Sequence, residues 1–538
     1  MLKIFKYSFF YLLILIGVLS LYIFTDIHRN WTTYADQELT LSYNALLIKS
    51  NLPQLYLDHP GFFTIQISVL VLKILNGIDF IDINNVNEIG ILKPIYLYLK
   101  DLVVNSRITT AISLFLLLTI VYTCLINLFK NCLDSFIAVL IVFFSTSIVS
   151  HTYQLRTELI AFALLFLSTY FFYKSLFGNN ICKIFTTWLS LLLLILASLN
   201  KIQIFTISIF YSLLVIISCF LLTKNKNYSL IKYIKNYSRK LTTDIKLCFR
   251  KHSSNVIFHL LMPLVFYFFI SLIFYIYTRY TNPGLLKPNI VIISFFLNSI
   301  YFYTYLLIYL ISTNKLFIGV VYFNILYFTA YLASFFIIFF LDSADSINIW
   351  RVYSNPGLLI NFASEKANYL TGSDQGIHSL LWGFMKRPID FNILTINSQP
   401  IFLMVLFIFS IYYFYIKDWQ KIKFLVLTIF FYICVCYIVN IRYPDWKYVV
   451  FQEFFLIIPL FVLINYFKKS FKTFFLFALM LSVVFINLPI IHLKLNDNDK
   501  VISNLVCESD WFKHDFPSIN YDTFMKECKV ESSRFIAR

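Results

Sequence analysis

Apolar runs long enough to cross a bilayer recur from one end of this 538-residue chain to the other, with polar segments between them. A membrane helix needs about 20 consecutive apolar residues. Charged residues make up only 13% of the chain, about half the share of a soluble domain. That composition sets aside a large soluble helical protein and leaves an all-α, polytopic membrane protein. Thirteen spans are expected, at 5–24, 108–129, 134–150, 157–176, 184–199, 202–223, 255–278, 289–313, 316–341, 399–416, 422–440, 448–467 and 473–491.

The net charge of +17 could suggest a nucleic-acid partner, but its distribution argues otherwise. Lys224, Lys226, Lys232, Lys235, Arg239, Lys240, Lys246, Arg250 and Lys251 fall in one loop, 224–254. Smaller clusters sit at Lys417, Lys421 and Lys423, and at Lys468, Lys469 and Lys472. Each lies between apolar runs, which is the pattern of cytoplasmic loops. It is not the continuous basic face that tracks a phosphate backbone. No nucleic-acid partner is expected.

With Lys3 and Lys6 ahead of its first apolar run and no small-residue cleavage site after it, the amino terminus reads as a retained span that starts inside. All the basic clusters then face the cytoplasm. The segment 61–78 is apolar but carries Gln66, Ser68, Lys73 and Asn76. Counting it as a span would put the nine-cation loop outside, so it is placed as a helix at the outer surface. This yields a membrane domain over 1–491 with outer regions 25–107 and 342–398, and a soluble outer tail over 492–538. No internal repeat is visible, and the Phe, Ile, Leu, Lys and Asn bias fits an AT-rich genome. Cys507 and Cys528 lie in the tail and could pair if that side is oxidising.

Several polar groups converge on the outer face. Asp36 and Glu38 follow the first span, and Asp58 and His59 precede the surface helix. Arg156 and Glu158 end a short turn that begins at His151. Lys201 sits in a tight hairpin between apolar runs, and Arg442, Tyr443, Lys447 and Glu453 surround a late outer turn. Ionisable groups near membrane depth are costly and mark function by default.

In these motifs the chain resembles the GT-C glycosyltransferases, polytopic enzymes that use polyprenyl-phosphate sugars and include the protein O-mannosyltransferases and the aminoarabinose transferases. The likeness covers about residues 1–210 and 438–467. Its elements are Asp36 and Glu38, then His59, Pro60 and Gly61, then Arg156 and Glu158, then Ser198 to Lys201, then Arg442 and Tyr443. Gln37 splits the acidic pair, and Gly61 stands where the family has a second proline.

The resemblance implies an inverting transfer on the outer face of a bacterial inner membrane. The donor would be a polyprenyl-phosphate-linked sugar, and the acceptor a lipid, a glycan or a protein. Asp36 or Glu38 would be the general base, and attack on an oxocarbenium-like centre asks little of it. Arg156, Lys201 and Arg442 would hold the departing phosphate.

Other readings of these residues stay open. Asp36 could cap a helix, His59 could be structural, and Arg156 and Glu158 could pair with each other. A divalent metal could bridge Asp36 or Glu38 to the phosphate. Two other functions remain in view. An O-antigen ligase or polymerase would use Arg351, His378 and Arg387. A transporter or flippase for lipid-linked saccharides would need related halves and charges inside spans.

Overall fold

The computed structural model describes residues 2–26, 31, 35–55, 61–91, 93–152, 154–177, 180–201, 204–222, 258, 260–273, 275–276, 280, 288–313, 316–343, 349, 398–439, 449–496, 516 and 519–536. Helices make up most of these residues, and no strand is formed among them. Among the described residues, five helical stretches are long and apolar enough to cross a membrane, and seven shorter apolar helices accompany them. This is the character of a multi-pass membrane protein. The chain divides into two compact units. One comprises 1–163, 341–345 and 467–538, and the other 164–340 and 346–466.

In the first unit, α1 (Leu2–Leu21) opens the chain. It is followed by α2 (Ala35–Lys49), α3 (Phe62–Gly77) and α4 (Ile95–Ser106). Next come α5 (Ile108–Phe129), α6 (Cys132–Phe143) and the one-turn α7 (Thr146–Val149). The start of α8 (Glu158–Phe177) completes the amino-terminal part. In the second unit α8 continues into α9 (Asn180–Asn200) and α10 (Ile204–Leu222). These are followed by α11 (Leu260–Ile273), α12 (Pro288–Thr313) and α13 (Leu316–Leu341). That unit ends with α14 (Gln399–Tyr415), α15 (Trp419–Val439) and α16 (Val449–Ile464). The chain then returns to the first unit with α17 (Lys469–Asn496) and α18 (Tyr521–Ile536).

The chain has only 11 glycines, so its helices stop by other means. α2 ends at Asn51, in the left-handed region at φ 57°. There the Leu52 N–H bonds the Leu47 carbonyl and the Asn51 N–H bonds that of Ile48. This is the paired closure a C-terminal glycine usually supplies. Asp79 ends α3 and Lys417 ends α14 in the same way.

A helix is present over the segment 61–78, as α3. It is 16 residues long, about 24 Å at 1.5 Å per residue. Its Ile65, Val69 and Leu72 enter a buried cluster with Trp31, Tyr43 and Leu46, with Tyr96, Leu99 and Leu102 of α4, and with Phe516 and Phe524 near the carboxyl terminus. Helices α2, α3, α4 and α18 therefore share one core. The helices that follow α1 and the described part of the tail are packed together rather than separate.

The run 134–150 was expected as one helix. The structure breaks it at Phe144 and Ser145, between α6 and α7. The cause lies in α17. The Asn487 side-chain amide donates to the Phe144 carbonyl at 2.9 Å, and its oxygen accepts from the Thr146 hydroxyl at 2.8 Å. These bonds replace helix bonds lost at the break. At the other end of α6, the Thr473 hydroxyl of α17 donates to the buried Asp134 at 2.6 Å.

In the second unit, the helices are joined by side-chain hydrogen bonds as well as packing. Ser168 of α8 and Ser190 of α9 each donate to the other's carbonyl, at 2.7 and 2.9 Å. Small polar residues at such contacts let membrane helices approach closely. The Tyr211 hydroxyl of α10 donates to the Phe451 carbonyl of α16 at 2.9 Å. That of Tyr267 in α11 donates to Tyr327 of α13 at 2.6 Å.

Candidate functional site

The acidic motif opens α2, where carboxylates in the first turn favour the helix. Asp36 lies in that turn, and its side chain stands outside the described residues. Glu38 follows half a turn later and is only 1% exposed. Its two oxygens receive the guanidinium of Arg107, Nε at 3.1 Å and Nη2 at 2.8 Å. The backbone N–H of Leu155 adds a third bond at 2.8 Å. Arg107 is the junction between α4 and α5 and is itself fully buried. A fork-to-fork pair of this kind is the strongest geometry open to two buried side-chain charges.

Glu38 therefore joins three parts of the first unit: α2, the α4–α5 corner and the turn that begins at His151. The same turn is held again by the Thr110 hydroxyl, which donates to the Gln154 carbonyl at 2.8 Å. At its start His151 is buried, with Nδ1 2.6 Å from the Ser147 carbonyl. Gly61 closes the turn's other face. A Cβ on Gly61 would stand 2.6 Å from Thr157 Cγ2 and 2.9 Å from Leu41 Cδ2. A side chain has no room there, which is a physical reason for glycine where the resembling family has proline.

Between these anchors sits Arg156. It is 3% exposed. Its Nε donates to the Gln154 side-chain oxygen at 2.8 Å, and its Nη1 has no partner. No carboxylate among the described residues pairs with it. Glu158, two residues on, is also buried and receives the Thr157 hydroxyl at 3.5 Å. Pairing of Arg156 with Glu158, left open by the sequence, does not occur. A guanidinium stays charged at any accessible pH, so Arg156 is a buried, fixed cation facing a neutral amide.

Of the remaining sequence candidates, most lie outside the described residues. Lys201 lies in the second unit, half-buried between α9 and α10, with its N–H on the Ala197 carbonyl. Asp58, His59, Arg442 and Tyr443 lie outside the described residues, as do Arg351, His378 and Arg387. Among the described residues no three His, Cys, Asp or Glu side chains meet as a metal site. With Glu38 held by three donors, the open metal alternative falls on Asp36.

Two features went unread in the sequence. Arg107 is a lone cation immediately ahead of an apolar run, the same signal that singled out Lys201. The second is a buried polar cluster in the second unit. The Tyr432 hydroxyl donates to the Gln399 side-chain oxygen, and Gln399 Nε2 donates to Gln452 Oε1 at 3.2 Å. The Ser398 hydroxyl donates to Glu453, which is fully buried at the start of α16. Gln452 Nε2 has no partner. No protein-family model, curated protein or solved structure matches this chain.

Proposed function

We propose that this protein is a membrane glycosyltransferase of GT-C type with thirteen spans. It would transfer a sugar from a polyprenyl-phosphate donor to an acceptor on the outer face of a bacterial inner membrane. The observation that carries the reading is Arg156, a buried guanidinium with an unpartnered Nη1 on a turn fixed at Gln154, Leu155 and Thr157. An uncompensated buried charge costs several kcal/mol. A protein retains one where an anion arrives from outside, and a lipid phosphate is such an anion at a membrane surface.

The roles then divide. Asp36, in the first turn of α2, is the base that takes the acceptor proton. Glu38 is the anchor that ties α2 to the Arg156 turn, because its oxygens are already engaged in a buried pair. Arg156 receives the phosphate as it departs. Charge that develops on a leaving group is best stabilised by donors fixed beforehand, and Arg156 is fixed.

The buried cluster at Glu453 favours a second reading, a carrier of lipid-linked saccharides. A carboxylate enclosed among membrane helices is a usual feature of such proteins. One experiment separates the two. Purified protein is given a radiolabelled polyprenyl-phosphate sugar with an acceptor extract, and in parallel is placed in vesicles that report lipid flipping. Transfer of label that Arg156→Gln lowers at least tenfold supports the enzyme. Flipping without transfer overturns it. The donor should also raise the unfolding temperature of the wild type and not that of Arg156→Gln.

A further inference from the structure

Three helices of the second unit bring five polar side chains together at one end. α14 and α16 start there, and Tyr432 is about two turns from the end of α15. Ser398 is the N-cap of α14 but gives that helix no side-chain cap. Its hydroxyl donates instead to Glu453 of α16. The next residue of α14 makes a second link, from Gln399 Nε2 to Gln452 Oε1 at 3.2 Å. Ser398, Gln399, Gln452 and Glu453 are all fully buried. One turn further along α14 and α16, Phe402, Phe455 and Leu456 are buried and apolar, so the polar set is a single layer at that end.

The hydrogen bonds in this layer run one way. Tyr432 donates to the Gln399 oxygen, and Gln399 donates to the Gln452 oxygen. Gln452 Nε2 is then a buried donor with no acceptor among the described residues. A buried donor left unmet is a net loss to the fold, and native proteins hold few of them. We infer that this amide, with Glu453 next to it on α16, is a binding site for a neutral saccharide. The amide donates to one sugar oxygen and the carboxylate accepts from a neighbouring hydroxyl, a pairing that a diol satisfies and that few other groups do. An anion does not suit the place, because it would stand close to a buried carboxylate. An apolar group does not suit it either, because it leaves the amide unmet. A few fixed polar groups on an apolar wall are the usual make-up of a small-ligand site.

That the sugar arrives on a lipid phosphate rests on the proposed function. That the occupant is neutral and accepts a hydrogen bond rests on Gln452 and Glu453 alone. The transferase and the carrier both bring a sugar to this protein, so the site does not choose between them.

The test uses the full-length protein in lipid nanodiscs free of sugar-based detergent. Saturation-transfer NMR is titrated with the methyl glycosides of glucose, mannose and N-acetylglucosamine, with sorbitol as the control. At least one glycoside should bind above that control, and Gln452→Met should weaken it about tenfold, the worth of one hydrogen bond to a buried donor. Gln452→Met also strands the Gln399 amide. A second variant therefore removes the whole chain, Tyr432→Phe with Gln399→Met and Gln452→Met, and should fold and lose binding to the same extent. The methyl glycoside of glucuronate, which adds a carboxylate to the same ring, should not bind above sorbitol. Binding of no neutral glycoside means that the amide holds a water only and overturns the inference. So does binding that both variants keep, or glucuronate binding equal to that of glucose. The polyprenyl-phosphate form of the bound sugar should displace its glycoside, and sugar-free polyprenyl phosphate should not. Displacement by both means that the lipid and not the sugar is held there. Transfer and flipping are measured separately, so their absence beside Gln452-dependent sugar binding overturns the proposed function and leaves this site standing.

Discussion

At the residue scale, two arginines of the first unit have opposite fates on removal. Arg107 neutralises Glu38 by a two-point contact in a fully buried place. Replacing it with methionine strands a buried carboxylate, at a cost of ~3–5 kcal/mol. The paired change Glu38→Met with Arg107→Met should recover most of that loss. A double-mutant cycle on thermal unfolding in detergent measures this, and independent, additive losses would mean the pair is not coupled. Arg156 has no such partner, so Arg156→Gln should leave stability within about 1 kcal/mol or raise it, because it deletes an uncompensated charge. Its effect should appear in donor use. Asp36→Asn should abolish transfer while the protein stays folded and inserted. Transfer that survives Asp36→Asn but not Glu38→Gln would move the base to Glu38 and cancel its anchoring role. Gly61→Ala should destabilise by about 1–3 kcal/mol, as overpacking does, because the added methyl meets Thr157 and Leu41.

At the element scale, the break between α6 and α7 is set by a residue on another helix. Asn487 bonds the Phe144 carbonyl and the Thr146 hydroxyl. Asn487→Leu keeps the volume and removes both bonds, leaving a part-buried carbonyl and the buried Thr146 hydroxyl without that partner. The expected loss is about 1–3 kcal/mol, read as a lower unfolding temperature. Thr146→Val removes one bond only and should cost less. An unchanged unfolding temperature in Asn487→Leu would show that the break is intrinsic to Phe144 and Ser145. The helix itself was legible, since 12 of its residues are nearly all apolar. The break was not, because Ser145, Thr146 and Ser147 are neutral enough to continue a helix when no partner faces them.

At the scale of the whole molecule, one contact constrains the proposed topology. Tyr96 and Glu527 are hydrogen-bonded, so both lie on one side, and the chain between them crosses the membrane an even number of times. The 12 apolar runs drawn between 108 and 491 meet that condition only if 132–149 counts as one crossing despite its break. Reporter fusions at Lys235 and at Ser509 should therefore report opposite sides. The same side for both would remove the charge-based topology and the outer placement of the site.

Much of this architecture is written in the chain itself. Recurrent apolar runs with few charges dictate membrane helices, since only helices and closed barrels satisfy the backbone in a bilayer and runs of about 20 apolar residues suit helices. The apolar run 61–78 was legible as a helix, and the structure packs it with α2, α4 and α18. Acidic residues after the first run and a lone arginine in a short turn pointed to Glu38 and Arg156. What the sequence left undecided is which charges meet. Glu38 and Arg107 are 69 positions apart, and Glu527 and the Tyr96 N–H are 431 apart. Such pairs depend on where packing brings helices together, and no local pattern encodes that distance. Tertiary structure therefore decided that Glu38 meets Arg107, that Arg156 keeps an unpartnered Nη1, and that the tail is fastened to α2 and α4.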